Sequence, residues 1–148
     1  MFTTQASTIS KANRERIWSH YSDVTGWNRW DEALTASDLK GEFAVGSIGT
    51  MTIEGNPRPL EFVLLEVNKN ESFRNASEMP GIKIEFAHTL EDTADGTKIT
   101  HQITISGPAW EHVAASIGQK LKDDLPGTLA KLAKLAEHEL TKHDLAAT

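Results

Sequence analysis

Alternation of apolar and polar residues is clearest in the second half of the chain, where it predicts a β-hairpin. Every second residue is apolar in two neighbouring segments, apart from His88 in the first and His101 in the second. Successive side chains of a strand point to opposite faces, so the pattern predicts strands Ile82–Glu91 and Thr97–Ser106 with one buried face. The Asp-Gly pair between them is a strong hairpin signal.

Weaker patterns predict further strands, which together with the hairpin make a sheet of six to seven strands. One of them, Leu60–Asn68, is apolar on both faces unless a bulge near Leu64 and Leu65 resets the alternation. The others are residues 2–9, Ala33–Leu39, Ser47–Glu54 and residues 73–77.

Two short helices are predicted directly after the first strand. Ser10 is expected to cap a helix from Lys11 to about Ser22, and Asp23 is expected to cap a second one that ends at Trp30. Three of the four tryptophans lie in these helices, and such a cluster of large aromatic side chains indicates a wall of the core or of a cavity.

A much longer helix is predicted after Gly107-Pro108, because proline is favoured at the first turn of a helix. Its apolar residues recur at spacings of three and four, which is typical of a helix packed on one face. We expect Pro126 to bend it. The predicted stripe is Trp110, Val113, Ile117, Leu121, Leu125, Leu129, Leu132, Ala136 and Leu140.

These elements predict an α+β architecture. A sheet with one apolar face must be covered by a second layer, and the last helix is the only predicted element that is long enough. We therefore expect a helix-grip fold, in which a curved antiparallel sheet wraps around the long C-terminal helix. Residues 1–148 form a single domain in this interpretation, with a core of about residues 2–142.

Composition excludes several classes of function. The net charge of −6 argues against nucleic acid as a partner, since such binding needs a basic surface. The chain has no cysteine, which excludes disulfides, thiolate catalysis and cysteine metal sites. No segment resembles a signal peptide or a membrane-spanning helix, so we expect a cytoplasmic location and no stable membrane insertion. The oligomeric state is not indicated.

An ordered set of short motifs resembles the START-like superfamily (SRPBCC, Bet v 1-like), and within it the polyketide cyclase/dehydrase-type branch. The likeness extends over about residues 5–140. The residues that carry it are Ile9-Ser10, Ile17-Trp18, Asp23, Trp27, Trp30-Asp31, Asp95-Gly96-Thr97, Thr100-His101, Gly107-Pro108 and the segment from Leu132 to Glu137.

The resemblance implies a deep cavity between sheet and helix that binds a hydrophobic molecule such as a lipid or a polyketide. It does not imply catalysis, because one fold serves several functions. The chain departs from the family at Asn28-Arg29, where relatives often carry proline, and no catalytic set of a known aromatase or cyclase can be matched to it.

The candidate ligand-binding residues come from the inner faces of the predicted strands and from the first half of the last helix. Trp27 and Trp30 are added because, in this superfamily, the short helices close the mouth of the cavity. The full set is Trp27, Trp30, Met51, Phe62, Asn75, Phe86, His88, His101, Ile103, Trp110, Val113 and Ile117. Each aromatic residue has ordinary core packing as an alternative.

His88 and His101 are the candidates for chemistry. A two-residue Asp95-Gly96 turn would place His88 opposite Ile103, whereas a turn that spans residues 93–96 would place it opposite His101. Either register brings the two rings within about 5–8 Å of each other. Burial and mutual repulsion should keep both imidazoles neutral at pH 7. They would then be structural, orient a ligand, or act as acid and base.

We expect no cofactor and no metal, because two histidines without an inward carboxylate do not complete a metal site. Three functions remain open. The first is a carrier or sensor that binds a hydrophobic small molecule. The second is a cyclase or dehydratase that uses His88 and His101. The third is a domain with a filled core that acts through a surface partner.

Overall fold

The computed structural model describes the backbone of residues 1–147 and the side chains of residues 1–138. Seven strands form one sheet, and two short helices follow the first strand. The strands are β1 (Phe2–Ser10), β2 (Leu34–Leu39), β3 (Ile48–Ile53), β4 (Leu60–Asn68), β5 (Ser72–Met79), β6 (Ile82–Thr93) and β7 (Gly96–Ser106). The two short helices are α1 (Arg14–Ser22) and a 3-10 helix (Val24–Arg29).

The C-terminal helix, residues 110–147, is continuous and has three parts. These are α2 (Trp110–Val113), a π-helical segment (Ala114–Gly118) and α3 (Gln119–Ala147). The backbone stays helical through Pro126, where the expected bend stays a prediction. A departure from α-helical geometry lies earlier, at the π segment. The side chain of Leu140, the last residue of the predicted stripe, lies outside the described residues.

The sheet is antiparallel throughout and has the order β1-β7-β6-β5-β4-β3-β2. It curls around the C-terminal helix, which confirms the predicted α+β helix-grip fold. The register of β4 against β5 shifts between Leu64 and Glu66, where the sequence predicts a bulge. A bulge changes which alternate residues point to the buried side, so β4 can carry apolar residues on both faces although only one side of the sheet is buried.

The β6–β7 hairpin has the wider of the two predicted turns. Thr93 pairs with Gly96, and this register places His88 directly opposite His101. Their side chains therefore point to the same, inner face of the sheet. Gly96 has a φ of 138° and lies against the backbone of Ser10, so a side chain would not fit at this turn.

The predicted cap at Ser10 is wrong, and the one at Asp23 is right in position only. α1 starts three residues later than expected, and Asn13 caps it by accepting a hydrogen bond from the Arg16 N–H at 3.0 Å. Ser10 is buried and donates instead to the Ala133 carbonyl of α3. Asp23 is the N-cap residue of the 3-10 helix, but its side chain makes no capping bond and pairs with Arg29 at 2.6 Å. In both places a tertiary partner or an ion pair replaces the local cap.

The C-terminal helix is buried unevenly along its length. Leu125, Leu129 and Leu132 of α3 are buried, whereas α2 has no buried residue. The turn before β2 packs closely on α3, because the Glu32 N–H donates to the Thr128 hydroxyl at 3.1 Å. Gly127 permits this approach, since a Cβ there would meet the Glu32 carboxylate. The helix is thus anchored at its centre and more loosely held where it begins.

Candidate functional site

The space between sheet and C-terminal helix is divided into two small compartments. They share five wall residues, so they lie side by side: Asp31, Ala33, Phe86, His88 and Leu121. The histidine compartment adds His101, Gln102, Ile103, Asp124, Leu125 and Thr128. The tryptophan compartment adds Trp27, Trp30, Leu34, Met51, Ile53 and Asn75.

The compartments are much smaller than the deep cavity that the resemblance implies. The histidine compartment has a volume of about 30 Å³ and the tryptophan compartment about 20 Å³. Each has room for about one or two water molecules. Aromatic rings fill the remaining interior: Tyr21 and Phe73 are fully buried and lie 4.8 Å apart between ring centres. In this conformation the core is nearly closed.

His88 and His101 form a pair of contacting rings inside this core. Their ring centres are 4.6 Å apart in an edge-to-face arrangement, slightly closer than the sequence predicts. The ring of His88 also stacks on Phe73 at 3.8 Å. The Tyr21 hydroxyl lies 2.7 Å from Nε2 of His101. Both imidazoles are therefore held in place by neighbours on α1 and β5.

The contacts of His88 determine which of its nitrogens is free. Its Nδ1 lies 3.2 Å from the Phe73 carbonyl oxygen. A carbonyl oxygen only accepts hydrogen bonds, so Nδ1 carries the proton. In the neutral ring Nε2 then keeps its lone pair and acts as an acceptor or a base.

Burial keeps the aromatic triad of Tyr21, His88 and His101 uncharged. It lowers the pKa of His88 from 6.5 to about 3, against the opposing effect of the hydrogen bond to the Phe73 carbonyl. Burial, with repulsion from His88, lowers the pKa of His101 as well. Burial raises the pKa of Tyr21 well above 10.0, so the hydroxyl keeps its proton. This outcome agrees with the neutral imidazoles expected from the sequence.

Asp31 lies in the walls of both compartments and adds an acidic group to the site. Its Oδ1 accepts a hydrogen bond from the Ala33 N–H at 3.0 Å. The pKa of Asp31 is raised from 3.8 to about 6, mainly by burial and to a smaller extent by the negative charges of Asp124 and Glu32. The hydrogen bonds from Ala33 and Thr128 oppose this rise. A carboxyl group with this pKa changes its charge close to neutral pH.

Two polar atoms of the tryptophan compartment have no hydrogen-bond partner among the described residues. They are Nε1 of Trp30 and Oδ1 of Asn75, and both residues are only 2% exposed. By contrast, Nε1 of Trp27 in the same wall donates to the Tyr21 carbonyl at 2.8 Å. An unpaired buried donor and acceptor each cost about 1–3 kcal/mol. Their presence in a cavity wall indicates a place for a polar group that the protein itself does not supply.

Comparison with known proteins places this chain in a family. The family described as "Polyketide cyclase / dehydrase and lipid transport" matches residues 1–137. The chain belongs to this family. It is accordingly a member of the START-like superfamily, as the motifs in the sequence predict.

Solved structures of other proteins have the same fold as this polyketide cyclase/dehydrase family member, although their sequences have low identity to it. A protein from Mesorhizobium loti is 17% identical with a TM-score of 0.70, over 93% of this chain and 98% of that one. A protein from Thermus thermophilus is 13% identical with a TM-score of 0.71, over 93% and 99%. Ara h 8.0201 is 12% identical with a TM-score of 0.68, over 93% and 98%. A search of curated proteins found no match.

Most of the candidate ligand-binding residues of this family member lie in the compartment walls. Phe62 does not, because it stacks behind Trp27 at 5.4 Å. Trp110, Val113 and Ile117 are half-buried against the core and contribute to neither wall. The candidates found in the walls are Trp27, Trp30, Met51, Asn75, Phe86, His88, His101 and Ile103. Whether they bind a ligand remains a prediction.

Sequence reasoning missed the roles of Asp31 and Tyr21. Asp31 was part of the family motif Trp30-Asp31, and a carboxylate directly after an aromatic cluster was the available signal. Tyr21 lies on the apolar side of α1, where its hydroxyl was not expected to reach His101 of β7.

The expectation that the histidines have no inward carboxylate is corrected by Asp31. Even so, the described residues contain no group of three metal-ligating side chains. Nor is any helix in the described part of the chain long and apolar enough to cross a membrane.

Proposed function

We propose that this protein binds a hydrophobic small molecule between the sheet and the C-terminal helix, as a carrier or sensor. The observation that carries the proposal is that an unpaired donor, on Trp30, and an unpaired acceptor, on Asn75, belong to residues that line the same compartment. A ligand that pairs with them recovers about 1–3 kcal/mol for each group, in addition to its apolar contacts. Membership of a family described by polyketide cyclisation and lipid transport supports the same conclusion.

Ligand binding in this proposal requires the two compartments to merge and widen. A filled core with a surface partner fits the present volumes equally well, but it leaves the unpaired groups without a purpose. The C-terminal helix is the element best suited to move. Its first part has no buried residue in α2 and continues into a π-helical segment, a feature frequent at functional sites.

A matched pair of alanine substitutions tests the proposal. Ala33 is buried and lines both compartments, whereas Ala36 is exposed on β2. We expect native mass spectrometry of the gently purified protein to show a bound adduct, or uptake from a panel of neutral lipids and aromatic polyketides. Ala33→Leu should abolish the adduct because it fills the space, and Ala36→Leu should retain it. No adduct and no uptake by the unaltered protein would contradict the proposal.

A second candidate function is dehydration of a β-hydroxy ketone, favoured by Asp31 lying in the same walls as His88. Nε2 of His88 would remove the proton next to the carbonyl, and protonated Asp31 would donate a proton to the departing hydroxyl. The substrate loses one water and becomes an enone. The two residues then exchange protons with solvent to restore their starting states.

The pH dependence of this reaction distinguishes it from simple binding. It requires neutral His88, with a pKa of about 3, and protonated Asp31, with a pKa of about 6. Conversion of 4-hydroxy-4-phenylbutan-2-one, followed by the absorbance of the enone, should therefore be faster at pH 5 than at pH 8. His88→Gln should remove the activity and Glu32→Gln should retain it. A rate equal to the uncatalysed one would reject the enzyme and leave the binding proposal intact.

A further inference from the structure

The described walls of the two compartments carry negative charge and no positive charge. Asp31 lines both compartments and Asp124 lines one of them, while no lysine or arginine among the described residues lines either. A ligand that ends in a carboxylate or phosphate would be repelled here, because like charges in a poorly solvated cavity destabilise each other. The wall therefore selects against anionic lipids.

Two lysines of α3 pair with carboxylates other than Asp31. Lys120 lies 3.0 Å from Asp124 and 3.8 Å from Glu54, and Lys131 lies 3.4 Å from Glu32. Asp31 takes part in none of the ion pairs between described residues, and its contacts are neutral hydrogen-bond donors, the Ala33 N–H and the Thr128 hydroxyl. Asp31 is half-buried. A carboxylate that is partly removed from water and has no cation is unfavourable, so this position favours a ligand that brings one.

Other residues that line the tryptophan compartment supply complementary contacts. Trp27, Trp30 and Phe86 provide aromatic rings, which attract cations as well as apolar surface. The unpaired Nε1–H of Trp30 needs an acceptor, and the unpaired Oδ1 of Asn75 needs a donor. A single hydroxyl group on the ligand provides both.

We propose that the ligand is a protonated amine with a hydroxylated apolar body. Its ammonium group pairs with Asp31, and its hydroxyl lies between Trp30 and Asn75. This inference rests on the proposed binding function and narrows its ligand class. It depends on two independent features of the compartments. Asp31 has no cation near it, since no lysine or arginine among the described residues lines either compartment. In addition, two buried polar atoms in the walls have no hydrogen-bond partner.

Three small molecules of nearly equal shape test the charge preference. Tyramine, tyrosol and 3-(4-hydroxyphenyl)propionate share a phenol and end in an ammonium, a hydroxyl and a carboxylate. Isothermal titration at pH 7.5 should show tyramine binding at least about 10-fold more tightly than tyrosol, as expected for a charge-assisted hydrogen bond. The carboxylate should bind more weakly than tyrosol.

Variants assign the preference to Asp31. Asp31→Asn should reduce the affinity ratio of tyramine to tyrosol to about one. Glu32→Gln removes the same charge one residue away, outside both walls, and should keep most of the ratio. Circular dichroism checks that each variant is folded, and the comparison of the three ligands on the unaltered protein stands without any variant.

The possible outcomes distinguish failure of the amine inference from failure of the proposed binding function. The amine inference is overturned if 3-(4-hydroxyphenyl)propionate binds as tightly as tyrosol or more tightly. It is also overturned if Asp31→Asn leaves the affinity ratio of tyramine to tyrosol unchanged. Binding of tyrosol and neutral lipids without a preference for tyramine overturns the inference alone. Failure of all three phenols and of the neutral panel to bind overturns both.

Discussion

His88 and His101 show how a residue type that normally titrates near neutral pH is kept uncharged inside a core. His88 stacks on Phe73 and donates a hydrogen bond from its Nδ1–H to the Phe73 carbonyl, so only Nε2 remains for a ligand. His101 is tied to the Tyr21 hydroxyl. The pair therefore offers a fixed, neutral pattern of hydrogen bonds. It offers no positive charge at pH 7.

The histidine pair makes a prediction about acid stability. Both pKa values are below 6.5 in the folded protein, so the unfolded chain takes up protons first as the pH falls. The stability that the neutral pair contributes is present above pH 6.5 and is lost as the pH falls toward about 3. Urea midpoints should therefore fall from pH 7 to pH 4, and fall less in the double variant His88→Gln, His101→Gln. An identical pH profile in the variant would contradict this assignment.

The pKa of Asp31 shifts on folding in the opposite direction to the pKa values of the two histidines, so Asp31 provides an internal control for that experiment. Its folded pKa of about 6 lies above its usual 3.8, so the unfolded chain releases the proton first as the pH rises. Stability from this group decreases as the pH rises from about 4 to about 6. Asp31→Asn should therefore make the fall in stability on acidification steeper, whereas the histidine variant makes it shallower.

We expect Asn75 to lower the stability of the fold and to strengthen ligand binding. Its buried Oδ1 has no partner, so Asn75→Leu should raise the free energy of unfolding by roughly 1 kcal/mol and weaken ligand binding. Ser77 is a matched control on the same strand: its Oγ is also buried and unpaired, but it lies in neither wall. Ser77→Ala should leave binding unchanged. Chemical denaturation and titration measure both effects, and loss of binding in both variants would show a general disturbance of β5.

At the scale of elements, the strands were predictable because alternation reports burial directly. The sequence predicts the β6–β7 hairpin to within two residues at each end, but it allows two turn lengths, and tertiary packing decides between them. Ser10 does not cap α1 because its hydroxyl donates to the Ala133 carbonyl, and the Asp23 side chain, at the expected N-cap position, pairs with Arg29 instead of making a capping bond. Sequence patterns do not report such distant partners.

The candidate site was predicted only in part, for a related reason. Inner-face residues such as Met51 and Phe86 follow from strand periodicity, and they do lie in the walls. Asp31 lies in a turn without periodicity, so no pattern indicated that it faces inward. The cavity volume depends on how closely aromatic rings such as Tyr21 and Phe73 interlock, which is set by side-chain packing in three dimensions.

The uneven burial of the C-terminal helix predicts uneven dynamics. Residues 110–117 are exposed or half-buried, whereas Leu125, Leu129 and Leu132 are buried. Amide hydrogen exchange should be faster in residues 110–118 than in residues 121–136, since weakly packed segments open more readily. A bound ligand should slow exchange in the first segment. Uniform exchange along the helix would contradict its role as the moving part.

At the scale of the whole molecule, a curled seven-stranded sheet grips a helix around a core that is almost closed. The polar groups that face the small compartments are not distributed at random. They combine a neutral histidine pair, a carboxylate without a cation, and an unpaired donor and acceptor. Such an arrangement is unfavourable for a purely structural core and suits a ligand with polar groups of its own.

The most direct test of this account is the indole N–H resonance of Trp30 in a ¹H–¹⁵N spectrum, assigned with Trp30→Phe and recorded during titration with tyrosol and tyramine. We predict a downfield shift of Trp30 as its free N–H gains an acceptor. Trp27, already bonded to the Tyr21 carbonyl at 2.8 Å, should shift much less. An unchanged Trp30 resonance at saturation, with shifts confined to the half-buried Trp110, would contradict a ligand site between the sheet and the helix.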